Sequence, residues 1–144
     1  MYMKKALILI VALLTIGMAA DAQVQVKKKS TSETIFSGRM GGISVDVIDG
    51  SYFLSIKSTN QFDKYYVIHI GENAGEAVTS IESFIEIAET IKKGESFDIE
   101  TLTSTFTIYK GAFKNEIWFK TAGYGGYAVT NVRELSKILD VFVK

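Results

Sequence analysis

The stretch ISVDVIDGSYFLSIK, Ile43 to Lys57, restricts the fold more than any other part of the chain. Ile43, Val45 and Val47 alternate with Ser44 and Asp46; Tyr52, Leu54 and Ile56 alternate with Ser55 and Lys57; Asp49-Gly50 separates the two runs. Successive side chains of a strand point to opposite faces, so each run carries one apolar face. A type I′ turn needs positive φ at both central residues, and Asp-Gly accepts that conformation, so the segment predicts an antiparallel hairpin. TIFSGRM, ahead of Gly41-Gly42, and KYYVIHI, after the loop from Ser58 to Asp63, read as two further strands.

The period then changes. Ile81, Phe84, Ile85, Ala88 and Ile91 recur at helical spacing. Thr79-Ser80-Ile81-Glu82 has the form of a capping box at the start of that helix, and Gly94 is placed to end it. SFDIETL, TFTIYK and NEIWFK repeat the strand pattern, with a turn at Gly111 and a last helix from about Asn131 to Phe142.

The two halves share a phrase. Gly75, Ala77, Val78, Thr79 and Ile87 meet identical residues 51 positions later, at Gly126, Ala128, Val129, Thr130 and Ile138. The apolar helix positions also correspond: Ile81 with Val132, Phe84 with Leu135, Ala88 with Leu139 and Ile91 with Phe142. The expected fold class is α+β, an antiparallel sheet with two helices on one face, built from two pseudo-symmetric strands-then-helix units. The expected boundaries are a domain over residues 34–144, with half-repeats at about 34–94 and 95–144. Each Ala-Val-Thr is expected to lead into a capped helix.

The N-terminus carries an address. Lys4 and Lys5, an apolar run from Ala6 to Ala20 and the small-residue site Ala20-Asp21-Ala22 form a bacterial-type secretory signal over residues 1–22. The run is short beside the roughly 20 residues of a spanning helix, so the mature product is expected in the periplasm or outside the cell, with no stable membrane insertion. Residues 23–33, which include Lys27-Lys28-Lys29, read as a flexible polar segment.

Composition removes several chemistries. The chain has no cysteine and no proline, so disulfides and thiol catalysis are excluded, as is a rigid linker between the halves. Lysine and arginine number 16 against 16 aspartate and glutamate, and losing Lys4, Lys5 and Asp21 with the leader leaves the balance near neutral. Nucleic-acid binders usually show a basic surplus, so nucleic acid is not an expected partner. The single histidine, His69, is too few for a histidine-rich metal site, and no cofactor or metal is expected. Asp46 and Asp49 have positions suited to turn chemistry, and Glu82, Glu86 and Glu89 follow the solvent side of the first helix.

Two groups of residues remain as candidates for ligand contact. In TAGYGGYAVT, the loop Gly123, Tyr124, Gly125, Gly126 and Tyr127 precedes a helix start, where free amides could cradle an anion; the plain alternative is that the glycines only permit a tight entry. If Ile43, Val45, Val47, Leu54, Ile56, Ile68, Ile108, Ile117 and Phe119 face the helices, then Phe53, Lys57, Tyr65, His69, Tyr109, Trp118 and Lys120 share the opposite face. Aromatic rings among lysines could stack on sugars, bases or a partner protein. The same face could instead be covered by the N-terminal segment or by a second subunit in a homodimer, or form a second core. The expected function is an exported, non-catalytic binding or interaction module with a glycan or protein ligand; the alternative is a small hydrolase-like enzyme working through carboxylates.

Overall fold

The computed structural model describes residues 30–59, 65–102, 105–121 and 126–143. The leader and most of the polar segment after it lie outside these residues. Four strands come first: β1 (Ser32–Ser37), β2 (Ile43–Ile48), β3 (Ser51–Lys57) and β4 (Tyr65–Gly71). They form one antiparallel sheet in chain order, and α1 (Ala74–Thr90) follows. The second half has the same plan, with β5 (Ser96–Glu100), β6 (Thr105–Lys110), β7 (Glu116–Lys120) and β8 (Ala128–Asn131) in chain order, then α2 (Val132–Phe142). The class is α+β as expected, with the strands divided between two four-stranded sheets.

The hairpin at Asp49-Gly50 forms as the pattern requires. Asp49 has φ 51° and Gly50 φ 87°, and Ile48 pairs with Ser51 across the turn. Asp49 also accepts the Thr31 amide at 2.9 Å, which ties the start of β1 to the same turn.

The start of α1 departs from the expected boundary, while α2 begins where expected. The cap of α1 is Asn73, whose Oδ1 accepts the Glu76 amide at 2.9 Å. Thr79 therefore lies inside the helix, where its hydroxyl donates to the Gly75 carbonyl at 3.1 Å. The cap of α2 is Asn131, accepting the Glu134 amide at 2.9 Å. In both helices the third residue is a glutamate that reaches back past the cap: Glu76 accepts the Glu72 amide, and Glu134 accepts the Thr130 hydroxyl. Asn-x-x-Glu, a relative of the capping box, is the start signal that the two halves share. The far end of α1 also differs, since the helix stops at Thr90 and Gly94, with φ 91°, belongs to the following turn.

The repeated phrase thus adopts two structures. Ala77-Val78-Thr79 is helical, whereas Ala128-Val129-Thr130 is most of β8 and pairs with β7. The fourth strand of the first half is already supplied by YYVIHIG, so the chain is free to turn into α1 at Asn73. Gly71 permits that tight entry, because a Cβ there would lie 2.6 Å from the Ala77 amide nitrogen. In the second half a glycine-rich stretch precedes Ala128, and the phrase itself has to complete the sheet.

A single core joins the halves. Ile43, Val45, Leu54, Ile56 and Ile68 of the first sheet and Phe106, Ile108, Ile117 and Phe119 of the second are buried together with Ile81, Phe84, Leu135 and Ile138 of the helices. Val47, expected with them, is only half-buried near the end of β2. The seam between sheets is also hydrogen-bonded. Ser58, just past β3, bridges to Ala128; the Thr59 amide donates to the Tyr127 carbonyl at 2.9 Å; the Tyr66 hydroxyl donates to the Gly126 carbonyl at 3.0 Å.

Candidate functional site

Residues of the predicted outer face separate into two clusters, one on each sheet. On the first sheet, Phe53 pairs with His69 and Lys57 with Tyr65. The Phe53 and His69 rings meet edge-on at 5.2 Å, and the His69 side chain is only 9% exposed. Its Nε2 is buried without a hydrogen bond; Glu72 Oε2, at 3.6 Å, is beyond bonding distance. His69 is therefore more buried than a sheet-surface position implies. Tyr65 is exposed, and its hydroxyl donates to the Gly41 carbonyl at 3.1 Å.

The second cluster is built on a single row. Antiparallel pairing places Ser96, Tyr109, Trp118 and Val129 side by side across β5, β6, β7 and β8. Trp118 stacks on Tyr127 with ring centroids 4.2 Å apart and planes 23° from parallel. Lys120 holds its ammonium over the Tyr109 ring, 5.6 Å from the centroid. Aromatic face and glycine loop, two separate candidates in the sequence, thus meet at the Trp118–Tyr127 stack.

Two members of this platform are held by hydrogen bonds. The Tyr127 amide donates to the Thr59 hydroxyl at 2.9 Å, so the first half of the chain fixes the backbone that carries a ring of the second. Glu116 holds the Trp118 ring itself. Its Oε1 accepts the indole Nε1 at 3.3 Å, the Ala112 amide at 2.8 Å and the Phe113 amide at 3.3 Å, tying the ring to the β6–β7 turn. Gly111 leaves room for that carboxylate, since a Cβ there would come within 2.6 Å of Oε1. Alternation of apolar residues did not reveal these two positioning residues; an acid at a strand start beside a turn was the available signal for Glu116.

The row opens onto a groove of about 570 Å³, lined by Tyr109, Trp118, Lys93, Glu95, Ser96 and Lys110, with Gly111 and Ala112 at its end. Tyr109 is 38% exposed and Trp118 half-buried. Lys110 is held in place by donating to the Phe113 carbonyl at 2.8 Å.

The described part of the glycine loop has little capacity for an anion. Gly123, Tyr124 and Gly125 lie outside the described residues. The Tyr127 amide is taken by Thr59, the Val132 amide by the Asn115 carbonyl and the Glu134 amide by Asn131. Moreover, β8 separates the glycines from the helix start that was expected to follow them directly.

A second groove, of about 730 Å³, runs beside the start of α1 and is lined by His69, Glu72, Glu76, Ser83, Glu100 and Leu102 among others. Two of its acids are engaged: Glu76 by the Glu72 amide and Glu72 by the Ser51 hydroxyl at 3.3 Å. Asp46 accepts from Thr34 and Ser44, and Glu82, Glu86 and Glu89 are exposed along α1. Among the described residues, no three metal-ligating side chains gather, and no helix is long and apolar enough to cross a membrane. Compared with protein-family models, curated proteins and solved structures, the chain matches none.

Proposed function

We propose that this chain is an exported binding module that holds a glycan against the Tyr109–Trp118 platform of its second sheet. The observation that carries the reading is the Trp118–Tyr127 stack beside an exposed Tyr109, at the mouth of an open groove. A sugar ring presents a flat patch of C–H groups to an aromatic face and hydroxyls to polar groups at its edge, and such a site works best when its rings are already in place. Tyr127 is anchored through Thr59 and Trp118 through Glu116, so little order remains to be imposed on binding. Ser96, Glu95 and Lys93 supply polar edges along the groove. The leader, removed after Ala22, would deliver the module to the periplasm or the exterior, where glycans are abundant.

The test is a glycan array probed with the purified mature protein, Trp118→Ala, Tyr109→Ala and, as a variant away from the platform, Tyr65→Ala. The expected result is a shared glycan signal for the parent and Tyr65→Ala that falls at least about ten-fold in the two platform variants, with circular dichroism unchanged. Equal binding by Trp118→Ala, or no glycan bound by the parent, would overturn the reading. If only Tyr65→Ala loses binding, the ligand lies on the first sheet.

A further inference from the structure

Charges around the platform narrow the class of sugar. Three lysines surround it: Lys93 and Lys110 line the groove, and Lys120 stands over Tyr109. Among the described residues, none of the three has a carboxylate within ion-pair distance; the one such contact is His69 with Glu72 on the other sheet. The neighbouring acids are turned to internal use. Glu95 accepts the Lys92 amide at 2.8 Å, Asp98 accepts the Thr107 hydroxyl at 2.9 Å, and Glu116 accepts two turn amides and the indole. Each acid therefore already has a hydrogen-bond donor, while the ammonium groups keep capacity for an external anion. Lys110 is the most engaged of the three, donating to the Phe113 carbonyl at 2.8 Å and to the Gly111 carbonyl at 3.4 Å.

We infer that the preferred ligand is an acidic glycan, a chain of pyranose rings bearing carboxylates, with one ring on Tyr109 and Trp118 and its carboxylate toward Lys93 or Lys120. This rests on the platform reading above. A pyranose-linked carboxylate sits at the edge of the ring, so stacking the ring on the aromatic row points the acid outward to where the lysines stand. The three acids keep their charge, so the preference rests on where the ammonium groups stand beside the aromatic row and not on a local surplus of positive charge.

The experiment titrates the mature protein with oligogalacturonate and oligomannuronate, each beside its carboxyl-reduced neutral counterpart of the same linkage, by calorimetry. The expected result is binding of at least one acidic oligomer at least about ten-fold tighter than its reduced form. That preference should collapse in Lys93→Gln, Lys120→Gln, and Trp118→Ala should weaken both forms. Equal, Trp118-dependent affinity for acidic and reduced oligomers would overturn the acidic preference and leave the platform standing. Binding of the acidic oligomers that ignores Trp118→Ala would be adsorption by charge alone and would overturn both. Lack of affinity for either acidic oligomer overturns the inference, and the array above then decides the platform separately.

Discussion

The ring of Phe84, on α1, meets the ring of Phe119, on β7, edge-on with centroids 5.3 Å apart. Helix and strand belong to different halves, so the first helix closes over the second sheet. Both rings are almost fully buried. Phe84→Ala should cost about 3–5 kcal/mol, the usual range for a buried Phe-to-Ala change. Chemical denaturation followed by far-UV circular dichroism and by Trp118 fluorescence should show one shared transition, displaced to lower denaturant in the variant. Separate transitions for the two probes would show that the halves are not coupled through this contact.

Asn73→Ala and Asn131→Ala should each lower stability by about 0.5–2 kcal/mol, because each leaves a helix-start amide without its acceptor. Thr79→Ala should change stability by less than about 0.5 kcal/mol, since Thr79 is exposed in the second turn of α1 and alanine is the better helix former there. Thermal melts of the three variants decide between the two helix starts; a Thr79→Ala loss equal to that of Asn73→Ala would return the cap to Thr79.

Glu116→Ala removes one acceptor from the indole and from two turn amides. The expected cost is about 1–3 kcal/mol, together with loss of fixed orientation at Trp118. Near-UV circular dichroism should weaken in the indole region while the far-UV spectrum is retained. Glu116→Gln, which preserves a carbonyl acceptor, should restore most of the near-UV signal. An unchanged near-UV spectrum in Glu116→Ala would show that stacking on Tyr127 alone holds the ring.

Thr59→Val deletes the hydroxyl that receives the Tyr127 amide but leaves the Thr59 amide to Tyr127 carbonyl bond intact. Stability should fall by about 1 kcal/mol. If the platform binds as proposed, affinity should fall further than that of Tyr65→Ala, although neither Thr59 nor Tyr127 lines the groove. Calorimetric titration of both variants with the same glycan checks this; equal affinities would remove Thr59 from the positioning of the platform.

The strands, the helices and the sidedness of the sheets were legible in the sequence because they rest on short-range periodicity. Alternation around Asp49-Gly50 specifies the hairpin whatever surrounds it, and the spacing of Ile81, Phe84 and Ala88 specifies the buried face of α1. The same local pattern separated Tyr109, Trp118 and Lys120 from Ile108, Ile117 and Phe119. Ala-Val-Thr shows the limit of such signals. Its residues pull in opposite directions, alanine toward helix and the β-branched Val and Thr toward strand, so the phrase is helix where a fourth strand already exists and strand where one is still needed. Only the tertiary structure decided that, and only the tertiary structure could bring Thr59 to Tyr127 and Tyr127 to Trp118, contacts 68 positions apart in the first case. Periodicity tells a side chain which face to take, but which residues share that face across a seam depends on how the two sheets dock, and the docking energy is spread over the whole core.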